Sequence, residues 1–131
     1  MYKNYKNWVL ATGLLALLVV GLGAYTRLSD AGLGCPDWPG CYGFLTVPKH
    51  EADIALAAQS YPDMMFETAK AWKEMIHRYF AGALGLLILA LFVLAFVKRH
   101  YSNTPVKLPL ALLLLVIFQA ALGMWTVTMN L

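Results

Sequence analysis

Two groups of residues in this 131-residue chain have types and spacings that could do chemistry. The first is Glu74-Met75-Ile76-His77-Arg78. On a helix Glu74 and His77 stand three residues apart and Arg78 stands four from Glu74, so the carboxylate and guanidinium can pair in the favourable acid-first order. Ala81 and Gly85 follow on the His77 face, with Gly82 beside them. Small residues there leave a flat slot under the imidazole, which suits a packed neighbour helix or a planar macrocycle whose iron takes the histidine nitrogen. The plainer reading is three solvated side chains at a membrane boundary. Against it, ionisable groups at or inside a span are costly and tend to be functional.

The second group is Gly34-Cys35-Pro36-Asp37-Trp38-Pro39-Gly40-Cys41, where two prolines and a glycine favour a tight reversal that brings the thiols together. Closing so short a loop stabilises by roughly 2–2.5 kcal/mol on the chain-entropy model. The expected state is a bonded Cys35–Cys41 pair, either a structural staple or a redox-active couple. A zinc site is the weakest reading, because two thiols fall short of four ligands. His50 and His100 read as solvated. Met64, Met65, Met75, Met124 and Met129 could reach iron but more commonly pack. Gln119, a lone amide in an apolar run, is expected to bond across to another helix.

The elements that must position these groups are written in the composition. Hydrophobic residues make up 60% of the chain and charged ones 13%, against about 45–50% and 25% in soluble domains. The apolar excess lies in three runs without Asp, Glu, Lys or Arg, at 8–25, 79–97 and 108–131. Each approaches or reaches the roughly 20 helical residues that a bilayer core requires. None alternates apolar with polar, which argues against barrel strands. The first run exceeds the 7–15 apolar residues usual in a signal peptide, so it reads as a retained helix. The fold expected is an all-α membrane protein of three transmembrane helices, about 8–26, 76–97 and 108–129, with an outer loop of about 27–73. Residues 50–60 are helix-permissive, Pro62 breaks that segment, and Asp63 is a candidate N-cap for a helix running from about Met64 to Val97. No internal repeat is present, and 1–131 reads as one domain.

Charge sets the orientation. Lys3, Lys6, Lys98, Arg99 and Lys107 occupy two short segments free of acids. All seven acids lie in the long first loop or at its exit. The positive-inside rule then places the N-terminus and the second loop in the cytoplasm and the long loop outside, in the oxidising compartment where disulfides persist. The net charge of +3 is a topology signal. It forms no basic patch interleaved with aromatics, so nucleic acid is not an expected partner.

At these residues the chain resembles a known family. Gly23-Ala24-Tyr25-Thr26-Arg27-Leu28-Ser29 followed by Ala31-Gly32-Leu33-Gly34-Cys35-Pro36-Asp37-Trp38-Pro39-Gly40-Cys41 resembles the first outer loop of heme A synthases. Lys73-Glu74-Met75-Ile76-His77-Arg78 resembles that family's Glu-x-x-His-Arg entry to the second helix, and Gln119-Ala120-Ala121-Leu122-Gly123 its third. The resemblance implies an enzyme that oxidises the C8 methyl of heme O to the formyl group of heme A, built as two four-helix halves with two axial histidines each. It implies His77 as one heme-iron ligand, Glu74 as the catalytic carboxylate, Arg78 as its support and Cys35–Cys41 as the loop pair. It also implies a heme b cofactor and heme O as substrate. This chain matches the first three helices, an incomplete four-helix half, and is expected to be an N-terminal portion inactive on its own. The bacterial inner membrane is its expected location. The bilayer, heme O synthase, an electron donor and a second copy of the chain are its candidate partners. Two alternatives stand beside this reading: a non-enzymatic heme-binding or electron-transfer module, and a membrane thiol–disulfide protein.

The orientation is testable. A periplasmic phosphatase fused after Glu51 should be active, and one fused after Lys6 or His100 silent. The opposite pattern would refute the assignment.

Overall fold

The computed structural model describes residues 2–29, 31, 34–102 and 104–129. Asp30, Gly32 and Leu33 of the loop motif, Asn130 and Leu131 of the third run, and the side chain of Lys3 lie outside the described residues. Among the described residues there are four helices and no strand: α1 (Tyr2–Leu28), α2 (Glu51–Ser60), α3 (Thr68–Ser102) and α4 (Lys107–Thr128). The helices α1, α3 and α4 are each long and apolar enough to cross a membrane, which makes this a multi-pass membrane protein with a long loop between its first two spans.

In a span, polar groups must be satisfied inside the segment. The threonines obey this rule. Thr12 donates to the Trp8 carbonyl, Thr26 to Leu22, Thr126 to Leu122 and Thr128 to Met124, all at 2.8–2.9 Å and one turn back. Pro109 sits in the first turn of α4, where no intrahelical amide donor is needed. The helix α2 forms where expected, with Glu51 and Asp53 in its first turn complementing the positive end of the helix dipole.

The start of α3 differs from the sequence expectation. Asp63 lies in a turn and caps nothing, and the helix begins at Thr68 rather than near Met64. Met64 and Phe66 are pulled out of helical register to pack into the loop core, where the Phe66 ring meets Tyr42 edge-on at 5.1 Å. Tertiary burial has overridden local propensity. At its other end α3 continues past Val97 to Ser102. Its 35 residues span about 52 Å at 1.5 Å each, well beyond a hydrocarbon core of about 30 Å, so its first turns stand clear of the bilayer.

The middle element is α3. Both α1 and α4 pack against it, and among the described residues they make no contact with one another. Three helices in this arrangement enclose little, and side chains such as Leu10, Leu17, Val20, Leu86, Leu114 and Phe118 point outward. Gln119 is also exposed rather than turned toward another helix among the described residues. The buried core lies instead in the loop, which folds into a cap of Cys35, Cys41, Tyr42, Val47 and Ala57 on Ala71 and Met75 of α3.

Candidate functional site

The cap is built around a tight reversal. Cys35 and Cys41 are disulfide-bonded with their Cα atoms 4.9 Å apart, as the short turn-rich spacing required. Beyond Cys41 the chain turns through Tyr42 and Gly43, both at positive φ (53° and 85°), and returns as Phe44, which exchanges both backbone hydrogen bonds with Cys41 at 2.8 and 3.0 Å. Two left-handed central residues are the signature of a type I′ turn. Gly43 adopts that conformation freely, whereas Tyr42 does so at a cost. The Asp37 carboxylate offsets the strain by accepting the Tyr42 N–H at 2.6 Å and the Gly43 N–H at 2.8 Å. Burial, with the Asp37 charge beside it, pushes the Tyr42 phenol above its ordinary range.

This reversal sits directly on α3. At Gly34 the loop backbone presses so closely on the helix that a Cβ there would lie 2.5 Å from the Lys70 carbonyl oxygen. Ala71 is fully buried beneath it. One turn further, Glu74 is 4% exposed, and its Oε2 accepts the Cys35 N–H at 2.8 Å. Its Oε1 pairs with Nη2 of Arg78. The other guanidinium nitrogen of Arg78 donates to the Gly40 carbonyl at 2.6 Å and, more weakly, to Pro39 at 3.4 Å. The acid therefore holds the first cysteine of the disulfide loop, and the base holds the residue before the second. Tyr79 adds a hydroxyl bond to the Leu45 carbonyl at 3.0 Å.

His77 stands beside this seat and is engaged by a different neighbour. Its imidazole lies against Gly23 of α1, so close that a Cβ on Gly23 would sit 3.0 Å from Cε1. Its Nδ1 is buried without a hydrogen-bond partner. Below it, the slot read from Ala81, Gly82 and Gly85 is used in part by packing: Gly85 faces Val116 of α4 at 3.7 Å, while Gly82 faces open space.

The structure thus joins Cys35, Cys41, Glu74 and Arg78 into one buried cluster, with His77 on the adjacent face of the same turn. The Glu74–Arg78 pair is not the solvated surface pair of the plainer reading; its side chains are 5% and 12% exposed. His50 and His100 are exposed as expected. Sequence reasoning missed Asp37, Gly23 and Gly34. Tyr-Gly is not a strong type I′ signal as Asn-Gly would be, and a glycine that seats a side chain from another helix has no local signature.

Comparison with known proteins gives a consistent picture. Residues 6–131 match the model of the COX15-CtaA family, described as cytochrome oxidase assembly protein. The chain is 55% identical over 126 residues to a heme A synthase of Shewanella oneidensis, covering 95% of this chain and 37% of that protein. It is 31% identical over 139 residues to one of Bartonella quintana, covering 95% and 38%, and 29% identical over 138 residues to one of Sphingopyxis alaskensis, again covering 95% and 38%. The chain therefore spans a little over a third of the length of these relatives. No solved structure matches it.

The buried pair makes a sharp prediction. Arg78→Ala leaves the Glu74 carboxylate buried without its counter-charge and should destabilise the protein by about 3–5 kcal/mol, whereas adding Glu74→Gln, which removes the unpaired charge and keeps an oxygen for the Cys35 N–H, should recover part of that loss. Thermal unfolding in detergent reads both. A single variant as stable as the parent would mean that the pair is solvated.

Proposed function

The chain belongs to the COX15-CtaA family of cytochrome oxidase assembly proteins, and from that premise we propose that it forms the N-terminal part of a membrane heme A synthase. The activity proposed is oxidation of the C8 methyl of heme O to the formyl group of heme A, in the biosynthesis of the cytochrome oxidase cofactor. The observation that carries the reading is His77, a histidine near the outer end of a spanning helix whose buried Nδ1 has no hydrogen-bond partner. An unsatisfied buried donor or acceptor costs about 1–3 kcal/mol, so this nitrogen calls for a partner that the described residues do not supply. An imidazole is a common axial ligand of heme iron, and the residues present fit that group.

In this proposal His77 would hold the heme iron, and heme b would be the resident cofactor of the full-length enzyme. Bound heme supplies the redox iron that oxidation of an inert methyl group requires. The chain's own residues supply setting and charge. Gly23 leaves room for the imidazole against α1. In this reading Glu74, three residues away, would accept a proton or stabilise positive charge developing at carbon. Its own charge is held by Arg78 and the Cys35 amide rather than by water. The disulfide keeps that amide in position. The charge asymmetry supports a bacterial inner-membrane location with the N-terminus cytoplasmic and the cap outside. Heme O synthase, an electron donor and a second copy of the chain are the proposed protein partners. On the same reading residues 1–131 alone do not make heme A. The relatives' names favour neither the electron-transfer module nor the thiol–disulfide protein.

In the full-length protein, His77→Ala should perturb the heme spectrum. Glu74→Gln keeps an oxygen for the Cys35 N–H and removes the charge, so heme should still bind while turnover falls by about 10²-fold or more. An unchanged spectrum in the first variant would remove His77 from the site, and normal heme A output in the second would remove Glu74.

A further inference from the structure

Above the His77–Gly23 contact, on the loop side, stand two cations that no acid among the described residues neutralises. Lys73 lies four residues before His77 on α3, and Arg27 lies four residues after Gly23 on α1. Each is therefore on the face of its helix that carries the contact, one turn or about 5.4 Å further along the axis. The helices run antiparallel here, since Gly23 meets His77 and Tyr25 meets Lys73, whose Nζ lies 5.3 Å from the Tyr25 ring centroid. Neither Lys73 nor Arg27 is in an ion pair among the described residues. The neighbouring Lys70 is paired with Glu67 at 3.5 Å, and Arg78 with Glu74. Arg27 is exposed.

We infer that Lys73 and Arg27 form a subsite for the two carboxylate arms of a tetrapyrrole dicarboxylate bound at His77. This rests on the reading of His77 as an iron ligand and deepens it by fixing which edge of the macrocycle faces outward. A carboxylate is costly in hydrocarbon, so a dianionic macrocycle between helices must turn its acidic edge to the membrane–water boundary. The arms extend past the rim of the ring, which brings them to cations one turn above the ligand. Guanidinium and ammonium groups are the side chains that bind carboxylates most strongly. The apolar edge then faces inward along α3, beside the open position at Gly82.

The test is a pair of titrations followed by Soret absorbance, using the full-length protein in nanodiscs of neutral lipid. The ligands are heme and its dimethyl ester, in which both carboxylates are blocked. The parent should prefer heme by at least about tenfold. In Lys73→Gln, Arg27→Gln the heme affinity should fall about tenfold and the ester affinity should stay the same, so the preference disappears. Lys73→Arg, which keeps the charge, should retain it and guards against misfolding in the double variant. Preference unchanged in the double variant would overturn the proposal. A double variant that instead retains fewer anionic lipids in phosphatidylglycerol nanodiscs, with its preference intact, would assign the cations to headgroups and overturn it as well. His77→Ala separates the two levels: if both ligands bind it as they bind the parent, the reading of His77 fails independently of the cations.

Discussion

A carboxylate taken out of water at a membrane boundary must find a counter-charge and hydrogen-bond donors within the protein, because its desolvation costs several kcal/mol. Glu74 meets that requirement with Arg78 on its own helix and with the Cys35 amide from the loop. Arg78 in turn has donors left over, and they are taken up by the Gly40 and Pro39 carbonyls. One charge pair therefore reaches both sides of the disulfide ring. The rest of the loop cap follows from it: Gly34 must be glycine because the loop is drawn onto the Lys70–Ala71 backbone, and Asp37 must hold the turn because its direction is set at both ends.

This arrangement also explains why the hydrophobic core lies outside the spans. Three helices with α3 in the middle bury few side chains, and the hydrophobic effect gives no driving force between helices in lipid. The water-exposed cap has that driving force. It gathers Tyr42, Val47 and Met75, flanked by Tyr61 and Phe66, onto turns of α3 that stand above the membrane. The order of the cap is thereby transmitted to the helical turn that carries His77. The imidazole itself is located by α1, through Gly23. The candidate site is thus fixed from two directions by contacts that are independent in sequence.

Much of this was legible in the chain. The three apolar runs specified the spans, because a bilayer dictates length and composition directly. The Glu74–Arg78 spacing allowed an ion pair, and the proline- and glycine-rich interval favoured the closure of Cys35 onto Cys41. The parts that were not legible are long-range. The burial of Glu74 depends on a loop nearly forty residues away, and the start of α3 at Thr68 depends on Phe66 meeting Tyr42. Helical periodicity placed Glu74 and His77 on one turn but could not say that one would face the cap and the other α1. Gln119 was expected to find a partner helix, but α4 presents it outward.

The central claim is that Glu74 holds the disulfide loop on α3 through the Cys35 amide. Amide hydrogen exchange at Cys35, in the full-length protein in nanodiscs, measures this most directly. A hydrogen bond to a charged acceptor contributes about 1.5–3 kcal/mol, so Cys35 should be protected in the parent and should exchange about 10- to 100-fold faster in Glu74→Ala, with the Cys41–Phe44 amides accelerating alongside it. A Cys35 amide that exchanges at the same rate in both proteins would contradict the account.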